Sequence, residues 1–244
     1  MITKGGFGYI IGKKKRIMCV NDDADLLWQI LISEIYVLMN HYKTKEELQN
    51  AFEKIEIVKN KPNNKPKKTQ LEKCKCFTDY EINDLEDWEC VLRYCQHSFI
   101  NILEAGFILN ETNEPNGHIF ILDFNKGEAN YYFKDWEGKT NKIMNATIEE
   151  IMTFDEMPTK NYTEIVNEMN DRFIIYFTNI KNVRDELEKL NKLLLESKRQ
   201  GAANIEEKVE KLINDMKIEE KKLHMQRRVF YNRLKVLDLI EEEK

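Results

Sequence analysis

The sequence predicts an α+β protein: a mixed amino-terminal domain of antiparallel β-hairpins and helices, then a long antiparallel α-helical hairpin packed as a coiled coil. Three observations predict it. All four prolines (Pro62, Pro66, Pro115, Pro158) and eight of the nine glycines lie within residues 1–160. Short apolar runs bounded by glycine lie in the same stretch, as strands require. From Tyr162 onward the apolar residues instead repeat every seven positions, the period of a coiled-coil seam. The expected domains are 1–158 and 161–244, with a polar, basic loop at 59–70 inside the first.

The composition supports this division. The chain has 244 residues, 42% of them hydrophobic and 10% aromatic, enough to bury a core. Charged residues make up 33%, above the usual quarter, which fits long solvated helices. Residues 161–244 hold 17 Lys plus Arg and 17 Asp plus Glu, so the net charge of −5 belongs to residues 1–160. That balance argues against a nucleic-acid binder, which is normally basic. No run of 18 apolar residues exists, so no membrane span is expected. Met1-Ile-Thr-Lys-Gly-Gly6 lacks an apolar signal core. With five cysteines, an odd number, the chain is expected in a reducing, cytoplasmic setting.

In chain order, Gly6–Ile11 and Arg16–Val20 form a hairpin turned through Gly12-Lys13-Lys14-Lys15. Asp25–Tyr42 is an amphipathic helix whose apolar side, with Leu27, Ile30, Leu31, Ile35, Leu38 and Met39, also carries Glu34. Lys59–Lys68 is a proline-broken loop. Asp84–Leu103 reads as a second apolar helix. Gly117–Asp123 and Ala129–Phe133 read as paired strands.

In the carboxy-terminal part, Met169, Tyr176, Val183 and Leu190 form one heptad row, and Phe173, Ile180, Leu187 and Leu194 the other. The pattern breaks at Lys198–Asn204, where Gly201 can end one helix and Asn204 cap the next. Val209, Met216, Leu223, Phe230 and Leu237 continue it, with Glu219, Gln226 and Arg233 as companions. Helices of about 38 residues would run roughly 57 Å at about 1.5 Å per residue. The eight seam residues from Met169 to Leu194 are the expected interaction surface, toward the hairpin's own second helix, a second copy or another protein.

Candidate chemistry starts at the glycine cluster. Gly5-Gly6-Phe7-Gly8-Tyr9-Ile10 resembles the second half of the glycine-rich loop of protein kinases. Three further stretches follow in the family's order. Glu34 matches the inward helix glutamate, Glu111 with Asn116 the spacing of the catalytic loop, and Asp123-Phe124-Asn125 the Asp-Phe-Gly motif. The resemblance covers roughly residues 2–130. It implies ATP bound over Gly5, Gly6 and Gly8, with Mg held by Asn116 and Asp123. The departures also carry meaning. No lysine stands near Val20 to pair with Glu34, the nearest cations being Lys13, Lys14, Lys15 and Arg16. Leu109 and Glu111 replace the family's His and Asp, and only about 35 residues follow Asp123 before the heptads. Phosphoryl transfer depends on each of those parts, so the resemblance implies a pseudokinase, with an atypical Ser/Thr kinase using Glu34 and Glu111 as the alternative.

Other chemistries find less support. Cys74, Cys76, Cys90, Cys95 and His97 could suggest zinc, but Cys90 and Cys95 sit roughly 140° apart on a helix, and the spacing fits no common module. The basic runs Lys13–Arg16 and Lys59–Lys68 have no interleaved aromatics, unlike single-strand binding surfaces. His41, His97, His118 and His224 are scattered. A second resemblance covers about 40 residues: Gly117–Asp123, Tyr131–Phe133 and Ile143–Met152 look like the end of a SMI1/KNR4-type (SUKH) domain, which would imply an immunity or adaptor protein. The expected function is therefore non-catalytic protein binding or scaffolding through the hairpin. A viral or phage factor that inhibits a host complex by binding it is a further reading.

Overall fold

The computed structural model describes residues 3–61, 64–78, 87–111, 114–154, 160–200 and 203–236. Strand β1 (Gly5–Ile11) turns back into β2 (Lys14–Val20) with Ile11 opposite Lys14. The connection is therefore two residues, not four, and Lys14 and Lys15 belong to the strand. Gly12, at φ 57, takes the first turn position, where a tight hairpin needs the left-handed region. After a 3-10 turn (Ala24–Leu26) come α1 (Leu27–Tyr42) and α2 (Lys45–Glu53), the latter capped by the Thr44 side chain on the Glu47 amide. Strand β3 (Glu56–Val58) and α3 (Lys68–Cys74) follow.

The expected helix over 84–103 is broken into pieces. Asp84 to Glu86 lie outside the described residues. Beyond them the chain forms α4 (Trp88–Val91), a 3-10 turn (Arg93–Cys95) and α5 (Phe99–Ala105). The break has a local cause: His97 stands at φ 79, which no helix tolerates, and Ser98 begins a new helix by capping the Asn101 amide. Strands β4 (Phe107–Leu109), β5 (Gly117–Asp123), β6 (Glu128–Lys134) and β7 (Thr140–Thr147) complete the strands, and α6 (Ile148–Ile151) closes with a Thr147–Glu150 capping box.

The main sheet runs β2-β1-β5-β6-β7 and is antiparallel except where β1 meets β5 in parallel. That parallel pair forces the whole segment from α1 to α5 to cross over, and it packs on one face. The core there is aromatic: Phe7 lies 5.3 Å from Phe99, Phe52 lies 5.3 Å from both Phe99 and Phe124, and Tyr9 lies 4.8 Å from Phe52. The opposite face carries a smaller patch of Ile17, Ile119 and Ile121, with Ile10 and Tyr132 against it. Strands β3 and β4 form a separate parallel pair.

Two compact units divide the chain, the first reaching Ile165 and the second spanning Val166–Arg233. The second unit is built from α7 (Tyr162–Gln200) and α8 (Ala203–Val236). Ion pairs Arg184–Glu220 at 2.7 Å and Lys198–Glu210 at 3.1 Å set the direction: numbers rise on one helix as they fall on the other, an antiparallel hairpin. Ile180 and Ser197 are buried on α7, and Val183, Leu187, Leu190 and Leu194 are half-buried. On α8 Val209 and Ile213 are buried, with Met216 and Leu223 half-buried. The companion row differs from expectation. Glu219 is exposed, while Glu206, Ile213 and Glu220 turn inward, because the seven-residue repeat on α8 is completed four positions after Val209 rather than three. Gly201 and Leu237 fall outside what is described, as do the side chains of Met169, Phe173, Tyr176, Gln226, Phe230 and Arg233. Among the described residues no helix is long and apolar enough to cross a membrane.

Candidate functional site

The glycine cluster is a packing device. β1 is hydrogen-bonded on both edges, to β2 and to β5, so its amides are committed to the sheet. A Cβ at Gly8 would stand 1.8 Å from the Arg16 carbonyl oxygen, and one at Gly5 1.8 Å from that of His118. Glycine lets the neighbouring backbones approach on both sides of the strand. Gly5, Gly6 and Gly8 are all buried.

Glu34 is 2% exposed, yet its carboxylate is well satisfied. Its oxygens accept from Ser98 Oγ at 2.6 Å, from the Phe99 amide at 2.6 Å and from the Ile100 amide at 3.4 Å. A buried carboxylate needs such donors, and the opening turn of α5 supplies them. Glu34 thereby fastens α1 to α5. Lys15 points elsewhere: its ammonium meets Glu114 at 2.7 Å. Burial works to raise the Glu114 carboxyl, but donation from Lys15 and Tyr132, with the Lys134 charge, outweighs it and holds the group below its usual range.

Asn116 immediately precedes β5 and Asp123 is its last residue, about 23 Å apart at about 3.3 Å per residue, so they do not meet on one ion. The Asp123 carboxylate accepts from the Asn125 amide at 3.0 Å and the Lys126 amide at 3.3 Å, an Asx turn that opens the β5–β6 hairpin. Asn125 then joins two turns: its side chain accepts from the Gly12 amide at 2.7 Å and donates to the Gly12 carbonyl at 2.8 Å. Glu111 is exposed, and its amide donates to the Ile17 carbonyl at 2.8 Å, extending the outer edge of β2. No cluster of three His, Cys, Asp or Glu suited to a metal occurs among the described residues. Burial pushes the Cys19 thiol up to about 11 and the Cys74 thiol up to about 12, the direction of unreactive groups.

One cleft of the first unit lies where no sequence motif pointed. It measures about 570 Å³ and is lined from the end of α1 by Tyr36, Val37, Asn40 and His41, and by Lys43 beyond it. Lys160, Asn161, Tyr162 and Thr163 complete the lining. The His41 and Tyr162 rings stack at 4.3 Å and 23°, and the Tyr162 hydroxyl donates to Glu104. Burial first, then Glu104, raises the Tyr162 phenol, so it stays a donor. Residues 41 and 162 are 121 positions apart, and no spacing rule joins them.

The second unit exposes much apolar surface. Ile174, Ile175, Leu193 and Leu195 on α7 stand in solvent, as do Ile205, Leu212 and Ile218 on α8. Ile205 and Leu212 are seven apart and share a face. None of these is a seam position.

No protein-family model, curated protein or solved structure matches this chain.

Proposed function

We propose that this protein is a non-catalytic protein-binding or scaffold protein that docks a partner, or a second copy, through its carboxy-terminal hairpin. One observation carries the reading: seven large aliphatic side chains outside the seam are left between 47% and 62% exposed on α7 and α8. A hairpin that served only as a solvated arm would place polar groups there, and Ile205 and Leu212, seven apart, share one exposed helix face. The chemistry of the first unit supports the same reading, since Glu34, Asp123 and the β1 glycines each have a structural occupation.

The test is sedimentation over a range of concentrations, together with co-precipitation, for the wild type and for Ile205→Glu/Leu212→Glu. The variant should lose self-association or partner capture while keeping the helicity of the wild type. If the wild type neither self-associates nor captures a partner, or if the variant captures one unchanged, the reading fails.

A further inference from the structure

The two edges of the five-stranded sheet are treated differently. β2 is covered: the Ile17 amide donates to the Asn110 side chain at 3.0 Å, and the Ile17 carbonyl accepts from the Glu111 amide at 2.8 Å. Lys14, Lys15 and Arg16 also stand on that strand, and charge at an edge guards against strand addition. β7, at the other edge, has no such cover. Every residue from 136 to 145 is exposed, including Ile143 at 45% and Met144 at 46%.

The backbone groups that β7 leaves open can be assigned. The Ile148 amide donates to the Gly127 carbonyl at 2.8 Å, and the Asp135 amide to the Lys139 carbonyl at 3.0 Å. Hydrogen-bonded pairs alternate along an antiparallel ladder, so Ala146, Met144 and Asn141 turn their backbone groups toward β6. Between Met144 and Lys142 the register shifts by one, a bulge with Ile143 as the extra residue. Lys142 and Asn145 therefore turn their amides and carbonyls outward, three positions apart instead of two. Those groups have no backbone partner among the described residues, whereas the Thr147 amide is taken by Glu150 at 2.7 Å.

Outward backbone groups on an edge are matched by another strand. The three-residue spacing selects which one, because a regular strand presents its groups at every second residue. A second copy of β7, run antiparallel, presents the same spacing: Lys142 falls opposite Asn145 of the second copy, and Asn145 opposite its Lys142. The charges agree with this register. Lys142 is the only charged residue between 140 and 148, and here it faces an amide side chain rather than its own equivalent, whose repulsion would oppose pairing. Ile143 and Met144 then lie at the two-fold axis, covered by Met144 and Ile143 of the second copy.

We propose that two copies of this protein pair β7 with β7, antiparallel and with Lys142 opposite Asn145, so that two five-stranded sheets become one continuous sheet. The surface is separate from the hairpin, and the inference does not rest on it.

Cysteine cross-linking of the full chain tests the pairing and its register. Lys142→Cys and Asn145→Cys, mixed at about 100 µM and mildly oxidised, should form a disulfide-linked dimer, since facing residues of such a pair stand about 5.5 Å apart. Lys142→Cys alone should link no more than the wild type, because its equivalent lies three positions along the strand, beyond the reach of a disulfide. The mixed link should persist when both chains also carry Ile205→Glu/Leu212→Glu, which alters the hairpin surface. In that background Asn145→Pro gives a second measurement. It deletes an outward amide that the fold does not use, so the fluorescence melt should hold within about 3 °C while sedimentation shows dimerisation weakened at least about tenfold. The proposal is overturned if the mixture links no more than either variant alone, or if the link is lost with the hairpin substitutions. It is equally overturned if Asn145→Pro dimerises as its parent does.

Discussion

The two units of this protein solve the problem of apolar surface in opposite ways. The first closes on itself. Phe7, Phe52, Phe99, Phe120 and Phe124 are nearly inaccessible, and their rings meet at 5.3 to 6.1 Å, the spacing of packed aromatic cores. The second has only two helices, and two helices cannot surround a seam. Of its described apolar residues only Ile180, Val209 and Ile213 are buried, while Leu193, Leu195 and Leu212 remain in solvent. The difference teaches where each unit's stability comes from: interior packing in the first, and helix length with a narrow seam in the second.

Substitutions at three positions sharpen that contrast. All three tryptophans, Trp28, Trp88 and Trp136, lie in the first unit, so fluorescence follows its unfolding while far-ultraviolet dichroism is dominated by the long helices. The largest effect is expected from Phe99→Ala, which empties a site touching Phe7, Phe52 and Phe120. It should cost about 3–5 kcal/mol in urea titrations read by fluorescence. A loss below about 1 kcal/mol would mean the aromatic cluster is not the keystone of this unit.

Glu34→Ala comes next. It deprives Ser98 and the first amides of α5 of their acceptor inside the core, at about 2–3 kcal/mol in the same titration. Glu34→Gln keeps an acceptor oxygen and should lose less. Were Gln as damaging as Ala, the negative charge rather than the hydrogen bonds would be holding α1 to α5.

The smallest effect belongs to the hairpin. Arg184→Ala removes a pair with Glu220 whose side chains remain partly exposed, and it should shift helix unfolding, followed by dichroism, by about 1 kcal/mol or less. A much larger shift would show that this ion pair, and not the apolar seam, fixes the hairpin's register.

Local pattern made several elements legible. Glycine and β-branched runs announced the β1–β2 and β5–β6 hairpins, because turn chemistry and strand alternation act between near neighbours. The heptads announced α7 and α8, and Ile180, Val183, Leu187, Leu190 and Leu194 do face inward as their spacing required. Other features were hidden. α5 separates from α4 because of backbone at His97 and a cap at Ser98, a competition too local for periodicity to detect. β7 was not legible as a strand, since its side chains are mostly exposed and carry little apolar signal.

The candidate chemistry divides in the same manner. The order Gly5-Gly6-Phe7-Gly8, Glu34, Asn116, Asp123 could be read along the chain, but what each residue does depends on partners far away in sequence. Gly5 is required by the His118 carbonyl, Glu34 by the amides of Phe99 and Ile100, and Asn125 by Gly12. By itself the sequence determined that this is an α+β chain ending in a helical hairpin, since composition, turn residues and a seven-residue repeat are local quantities. Only the tertiary structure decided that β1 lies parallel to β5, that Glu34 fastens two helices, and that His41 meets Tyr162 beside two lysines. Those decisions rest on contacts between residues 64 to 121 positions apart, which the burial of a shared core selects and no short-range pattern encodes.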